Sequence, residues 1–316
     1  MRYIKDIKDG YTVQDVYLCK TRNSATTKNG KEYLNVILGD KTGNIDCKIW
    51  NADSAGISDF EPMDYVYVNG EAKTFNGNLQ VDIRQIRKAD ESEYNIDDFI
   101  PTTKKNIDEM YDALLKCISS VENNYLHSLL EEFFVNDKEF IAAFKLSSAA
   151  KSIHHNFAGG LLEHTLGVAR LCAFLAKQYP AINRDLILTA ALCHDIGKIY
   201  EYSTFPENDY TDEGNLLGHI VIGIEMVGEK IKTIPGFPKD TANELKHCIA
   251  SHHGKLEFGS PKKPGIIEAV ALSYADDTDA KMQSFIQFLE DADNYDWTFS
   301  RAFDGSIRMT KMNGEL

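Results

Sequence analysis

The residues of this chain with the most chemistry to offer are its histidines. Eight of the nine lie between residues 154 and 253, the exception being His127. Together with two aspartates they form an ordered set: His164, the pair His194-Asp195, His219, the pair His252-His253, and Asp276. Imidazole nitrogens and carboxylate oxygens are donors to divalent cations. With no thiolate in the set, the chemistry favours a working Mn²⁺, Fe²⁺, Mg²⁺, Co²⁺ or Zn²⁺ site over a cysteine-rich structural zinc. The set holds more donors than one tetrahedral ion needs, so a dinuclear site is expected. Asp195 beside His194 can give one oxygen to each of two ions. Two ions so placed can activate a water and grip the phosphoryl oxygens of an in-line displacement.

Several helices must bring these donors together. His194-Asp195 closes the apolar run Leu186-Ile187-Leu188-Thr189-Ala190-Ala191-Leu192-Cys193 and precedes Gly197, which can break the helix. Polar ligands at the end of an apolar helix sit at the rim of a core, where other helices can add theirs. The helical period starts with Ile107, Met110, Tyr111, Leu114, Leu115 and Ile118 on one face, and Leu126, Leu129, Leu130, Phe133 and Phe134 form a second. Further helices are predicted over 160–178, 184–194, 218–234, 240–251 and 266–289.

Upstream the period changes. Residues 11–20, 33–38, 45–50, 65–68 and 79–86 are short, β-branched or aromatic, and partly alternating. Turn signals separate them, among them Lys28-Asn29-Gly30, Asn69-Gly70 and Asn76-Gly77-Asn78. Five strands in so short a stretch fit a small barrel. The segment from Leu38-Gly39-Asp40 to Lys48-Ile49-Trp50 resembles the strand 2–turn–strand 3 region of nucleic-acid-binding OB-folds, which bind oligonucleotides on that face and through the 1–2 and 4–5 loops. Those loops would hold Arg22, Lys28, Lys31, Lys73 and Phe75 as nucleic-acid contacts. Phe75 stands beside Asn76-Gly77 at a predicted hairpin tip, where an apolar side chain has little core to join. Trp50, Tyr33 and Tyr67 are left open between core and stacking platform. An acidic, turn-rich linker is expected over 89–104, giving a barrel domain at 1–88 and a helical domain at 105–316.

His164…His194-Asp195…Asp276 resembles the HD superfamily of metal-dependent phosphohydrolases, and the added His219 and His252-His253 resemble its dinuclear members. The blocks Gly159-Gly160-Leu161-Leu162-Glu163-His164-Thr165, His194-Asp195-Ile196-Gly197-Lys198 and Ser251-His252-His253-Gly254-Lys255 carry the likeness. An OB-fold ahead of such a domain is similar to the YhaM-type 3′→5′ exoribonucleases of Gram-positive bacteria. The resemblance implies a five-stranded OB-fold barrel followed by an all-α HD-domain bundle. It also implies Mn²⁺-stimulated release of nucleoside monophosphates from the 3′ end of single-stranded RNA, with single-stranded DNA a second candidate.

Carried over residue by residue, His164, His194, Asp195 and Asp276 match the four-residue metal core. His219 and one or both of His252 and His253 match the second-metal positions. Asp276 fits the Ala-Asp-x-x-Asp-Ala pattern better than its neighbours Asp277 and Asp279. Asp195 and Lys198 are the catalytic pair, with Lys198 reaching a substrate phosphate; a solvated helix-end cation is the alternative for it. Lys255, Lys262 and Lys263 form either a charged surface loop or an RNA-tracking edge. His154 and His155 are weighed between substrate contact and plain surface, and His127 and His247 are expected to be structural or exposed.

The bulk properties narrow the classes. The net charge of −14 argues against a simple basic nucleic-acid glove. Its distribution is uneven: residues 1–88 hold 13 Lys/Arg against 12 Asp/Glu, a net of +1, which leaves −15 for the remainder. The six scattered cysteines, without a C-x-x-C, read as reduced core thiols of a cytoplasmic protein. No apolar run is long enough to span a bilayer, and the start lacks the apolar stretch of a secretory signal. Self-association is left open. Three other activities stand beside the exoribonuclease: hydrolysis of nucleotides or cyclic dinucleotides, non-catalytic single-strand binding with a degenerate site, and, more remotely, di-iron oxygenase chemistry.

Overall fold

The computed structural model describes residues 1–27, 30–151, 155–291, 297–300 and 303–308. They form two compact units: Met1–Thr102 together with Phe205–Glu207, and Thr103–Thr204 together with Asn208–Leu316.

The first unit is a closed five-stranded barrel of β1 (Thr12–Thr26), β2 (Glu32–Asp40), β3 (Gly43–Ile49), β4 (Tyr65–Phe75) and β5 (Asn78–Lys88), in the order β1-β2-β3-β5-β4. All pairs are antiparallel except β3–β5. Alternate side chains point inward, as a pleated strand requires. Leu34, Val36 and Leu38 of β2 thereby meet Ile45, Cys47 and Ile49 of β3 in a buried core with Val66, Val68 and Val81. The tip of β4–β5 has Asn76 at φ 50° and Gly77 at φ 82°, the doubly left-handed turn that Asn-Gly favours.

Two strands run longer than the side-chain pattern predicts. β1 continues through the polar Thr21–Thr26 stretch because its backbone stays paired with β2 as far as Thr26↔Glu32. β4 continues through Asn69-Gly70, which is a register shift inside the strand rather than a turn. A Cβ on Gly70 would lie 2.6 Å from the Asp82 carbonyl oxygen, so glycine is needed there for close backbone approach. After β5, the acidic stretch packs back on the barrel: Tyr94 stacks on Tyr65 at 4.1 Å, and Phe99 is buried with Val16 and Leu18.

The second unit is helical: α1 (Ile107–Ser119), α2 (Asn124–Phe134), α3 (Lys138–Leu146), α4 (Gly160–Gln178), α5 (Arg184–Cys193), α6 (Lys198–Glu201), α7 (Asp212–Thr233), α8 (Lys239–Ala250) and α9 (Ile267–Asp291), then a short hairpin of β6 (Thr298–Ser300) and β7 (Gly305–Ile307). Asn106, Asn123, Asp137, Asn183 and Thr211 cap α1, α2, α3, α5 and α7 by accepting from first-turn N–H groups. Every residue of α5 from Leu186 to Cys193 is buried, so this helix is the axis of the bundle, with α2, α4, α8 and α9 packed around it. Its C-terminal end therefore delivers His194-Asp195 into the interior. Among the described residues no helix is long and apolar enough to cross a membrane. The six cysteines are free thiols, five of them buried.

Candidate metal centre

Five segments converge on one place. His164 comes from α4, His194 and Asp195 from the end of α5, His219 from α7, His252 and His253 from just beyond α8, and Asp276 from α9. His164, His194, Asp195 and His252 are all within 1% of complete burial. The Asp195 carboxylate divides the donors between its two oxygens. Oδ2 faces His194 Nε2 at 3.3 Å and His164 Nε2 at 3.5 Å, with Asp276 Oδ1 a further 3.1 Å from His164 Nε2. Oδ1 faces His219 Nε2 at 3.5 Å and His252 Nε2 at 3.6 Å. Ligand atoms of His164, His194 and Asp276 lie within 4.8 Å of one another, and so do those of His219, His252 and His253. These two three-residue donor groups thus have one carboxylate between them, and His155, His164 and Asp279 form a third group among the described residues.

The other ring nitrogens explain how the donors are aimed. His194 Nδ1 donates to the Ala191 carbonyl at 2.8 Å, His252 Nδ1 to Ile249 at 2.7 Å and His253 Nδ1 to Phe258 at 2.8 Å. A backbone carbonyl only accepts, so these three rings carry their proton on Nδ1 and offer the Nε2 lone pair. His164 and His219 turn Nδ1 to carboxylates instead, Asp279 Oδ2 at 2.8 Å and Glu201 Oε1 at 2.9 Å. This is the arrangement that orients metal-binding histidines. Asp195 Oδ1, His219 Nε2 and His252 Nε2 are buried with no hydrogen-bond partner. Buried polar atoms are rarely left so, and cations between the facing donors would satisfy all three. The residues present therefore fit a pair of divalent ions.

The electrostatics agree. Burial opposes charge on His164, yet its hydrogen bonds to Asp276 and Asp279 raise it to about 9, so in the metal-free protein a proton occupies the place a cation would take. Burial likewise works against the Asp195 carboxylate, but His194 and Lys198 hold it well below the usual carboxylate range. His252 is pushed down by burial and by His194, and His253 by burial and by His252, which keeps both neutral and able to donate a lone pair. Lys198 Nζ lies 2.7 Å from Asp195 Oδ2, and that pairing keeps it charged against the cost of its burial.

The roles of three supporting residues escape a reading of the sequence. Asp279, held at about 2 despite burial by His155 and His164, orients His164 rather than competing with Asp276 for the centre. Glu201 orients His219. Gly197 does not break a helix by its conformation: its φ of −64° and ψ of −19° suit any residue. A Cβ there would instead lie 2.1 Å from the His219 carbonyl oxygen, so glycine lets α7 approach. The predicted start at Gly218 is likewise a break inside α7, with φ 72° and ψ 156°. His155 is buried, 3.3 Å from Asp279, and not on the surface. His154 lies outside the described residues. His247 Nε2 accepts from Gly265 N at 2.8 Å, and His127 stands beside Glu131 on α2.

The nucleic-acid candidates are scattered by comparison. Phe75 is 63% exposed at the β4–β5 tip. Arg22 is committed to the barrel, donating to the Phe60 carbonyl and Glu61 and lying over the Phe60 ring. Lys73 pairs with Asp82 at 3.3 Å, and Lys255 with Glu257 at 3.4 Å, both surface pairs that exchange readily. Lys31, Lys262 and Lys263 are exposed. Lys28 lies outside the described residues. The β2–β3 face carries a group that sequence reasoning left open: Trp50 is 43% exposed, Tyr33 is 5.0 Å from it, and Lys48 Nζ lies 5.9 Å over Tyr33. Tyr67 is half-buried under Arg87.

A His/Asp donor centre in a helical bundle that follows a five-stranded barrel defines an OB-fold–HD phosphohydrolase architecture. Residues 161–281 match the HD domain family, and residues 18–89 match the OB-fold nucleic acid binding domain family. The chain is 37% identical to the 3′-5′ exoribonuclease YhaM of Bacillus subtilis (strain 168) over 284 residues, 89% of this chain and 88% of that protein. It is 34% identical to the 3′-5′ exoribonuclease YhaM of Listeria innocua over 286 residues, 90% of each chain. The chain belongs to this YhaM exoribonuclease family. Among solved structures, the second OB-fold domain of replication protein A from Methanococcus maripaludis aligns with 28% of this chain and 95% of its own, at 20% identity and a TM-score of 0.22.

Proposed function

We propose that the protein is a metal-dependent 3′→5′ exoribonuclease that removes nucleoside monophosphates from single-stranded RNA, with single-stranded DNA a second candidate substrate, in the cytoplasm. The observation that carries this reading is the Asp195 carboxylate, whose two oxygens face separate donor groups, one of them offering the unpartnered Nε2 atoms of His219 and His252. His164, His194, Asp276 and Asp195 Oδ2 would hold one divalent ion, and His219, His252, His253 and Asp195 Oδ1 the other. The nitrogen-and-oxygen donor set suits Mn²⁺. When bound, the ions supply Lewis acidity and neutralise charge at the scissile phosphate.

The protein's own groups do the rest. The Nδ1 hydrogen bonds hold five imidazoles with their Nε2 atoms inward. Lys198, partly buried and charged, places positive charge where negative charge grows on the phosphoryl oxygens. In the barrel, the Tyr33–Trp50 pair, its rings inclined at 32°, offers aromatic faces beside the Lys48 cation, the combination that holds single-strand bases and backbone without regard to sequence. Phe75 would add a second stacking position.

The test uses 5′-labelled single-stranded RNA, with a parallel panel of nucleotides and cyclic dinucleotides, on metal-stripped protein with and without added Mn²⁺. A ladder shortening from the 3′ end with monophosphate release, only when Mn²⁺ is present, is expected. Turnover of the small nucleotides alone would replace this reading with a nucleotide phosphohydrolase. Binding without any turnover would leave a single-strand-binding module.

A further inference from the structure

We infer that Glu201 is a positioning residue for His219 and so sets the occupancy of the second donor group. The inference rests on the two-ion reading above.

Gly218 interrupts α7 with φ 72° and ψ 156°, and His219 follows it directly. One oxygen of Glu201 takes up both donors of the residue after the break. Oε1 accepts from the His219 backbone N–H at 3.0 Å and from its ring Nδ1 at 2.9 Å. A single atom holding the backbone and the ring of the same residue fixes the torsions between them. The fixed ring directs Nε2 toward Asp195 Oδ1, 3.5 Å away.

Glu201 is itself firmly held. It is 5% exposed and ends α6, six residues after Asp195, so it is tied to the carboxylate that His219 faces. Its carbonyl accepts from the Thr211 N–H at 3.0 Å. A Cβ on Gly214 would lie 2.2 Å from that carbonyl oxygen, so the first turn of α7 presses on Glu201 backbone. No hydrogen bond or ion pair of the structure joins Glu201 to His164, His194 or Asp276 among the described residues. The effect of losing it should therefore fall on one donor group.

The experiment measures bound Mn²⁺ by elemental analysis after dialysis, and by calorimetric titration of the metal-stripped full chain. Wild type is expected to take two equivalents. Glu201→Ala should keep one at wild-type affinity and weaken the other by about 10–100-fold, the usual effect of removing a group that orients a metal-binding histidine. Glu201→Gln, whose amide oxygen can still accept both N–H groups, should restore most of the loss. Glu201→Ala in a His219→Ala background should cost nothing further, because the carboxylate would act through that ring alone.

Equal weakening of both equivalents, losses that add in the double variant, or two wild-type equivalents in Glu201→Ala would overturn the inference. Should Glu201→Ala fail to fold, Glu201→Gln compared with His219→Ala carries the test: Gln must bind the second equivalent more tightly than the histidine variant, and no better binding refutes the inference. Fewer than two equivalents in wild type would instead remove the two-ion reading, and the inference with it.

Discussion

Substituting alanine for Gly197 adds one methyl group where α7 crosses close by, and the structure fixes the sign of the result. Gly197 has φ −64° and ψ −19°, where alanine is at ease. On backbone grounds alone the change should stabilise the fold by about 0.4–1 kcal/mol, by narrowing the unfolded ensemble. The space argues the other way. The new carbon would lie 2.1 Å from the His219 carbonyl oxygen and 2.8 Å from the Gly223 nitrogen, both backbone atoms of α7. Ordinary contact begins at 3.4 Å, so α7 must retreat by 1.3 Å, the difference between 3.4 and 2.1. Overpacking of this kind costs about 1–3 kcal/mol, which outweighs the entropic gain over most of that range. The retreat also carries His219 away from Asp195, and a displacement of about 1 Å in a catalytic group costs about 10²-fold in rate. Urea unfolding of the metal-free protein should show the lower stability, and shortening of 5′-labelled RNA with saturating Mn²⁺ the lower turnover. A Gly197→Ala protein that is more stable than wild type and equally active would refute the argument from close approach.

Other consequences can be checked separately. Asp195→Ala should abolish RNA shortening and leave single-strand affinity nearly unchanged in an anisotropy titration; an active Asp195→Ala protein without bound metal would end the proposed mechanism. Because His164 is raised to about 9, loading the first ion near neutral pH must expel the proton on its Nε2. Calorimetry in buffers of different ionisation enthalpy should then report about one proton released per first equivalent, and none would count against the assignment. In the metal-free protein the same shift bears on stability. Folding favours the charged ring, so its contribution is whole below the ordinary 6.5 and lost as the pH rises through about 9, which pH-dependent urea melts of the stripped protein can follow. Trp50→Ala should weaken RNA binding by about 1–3 kcal/mol with kcat unchanged at saturating RNA; unaltered affinity would move the binding face elsewhere.

Much of this arrangement is legible in the sequence because it depends on local pattern. The 3.6-residue period placed α4 at its observed limits, and Asn76-Gly77 marked a hairpin whose two left-handed residues few other pairs would accept. The ordered histidines and aspartates could be read because their types are uncommon in helical cores unless something binds them. Residues whose meaning lies across space were not legible. Glu201 looks like any acidic residue of a short helix until His219 is seen to lean on it. Gly197 looks like a helix breaker until α7 is found against it. Arg22 looks like a loop cation until Glu61 and the Phe60 carbonyl take up its guanidinium. Trp50 stayed ambiguous because strand alternation does not say which side of a barrel strand a residue near its end will face.

The stretch from His194 to Glu201 contributes an imidazole, the shared carboxylate, the glycine at the helix crossing, the lysine paired with that carboxylate and the carboxylate that steadies His219. All five are spaced along the turn that joins α5 to α6 and along α6 itself, a stretch tied by bonds from the Lys198 N–H to the Asp195 carbonyl and from the Tyr200 N–H to the Gly197 carbonyl, both 3.0 Å. Inserting or deleting one residue between Asp195 and Glu201 would therefore turn the later members away from the earlier ones together. Such a segment can exchange side chains one at a time, but it can change length only by losing both halves of the centre at once.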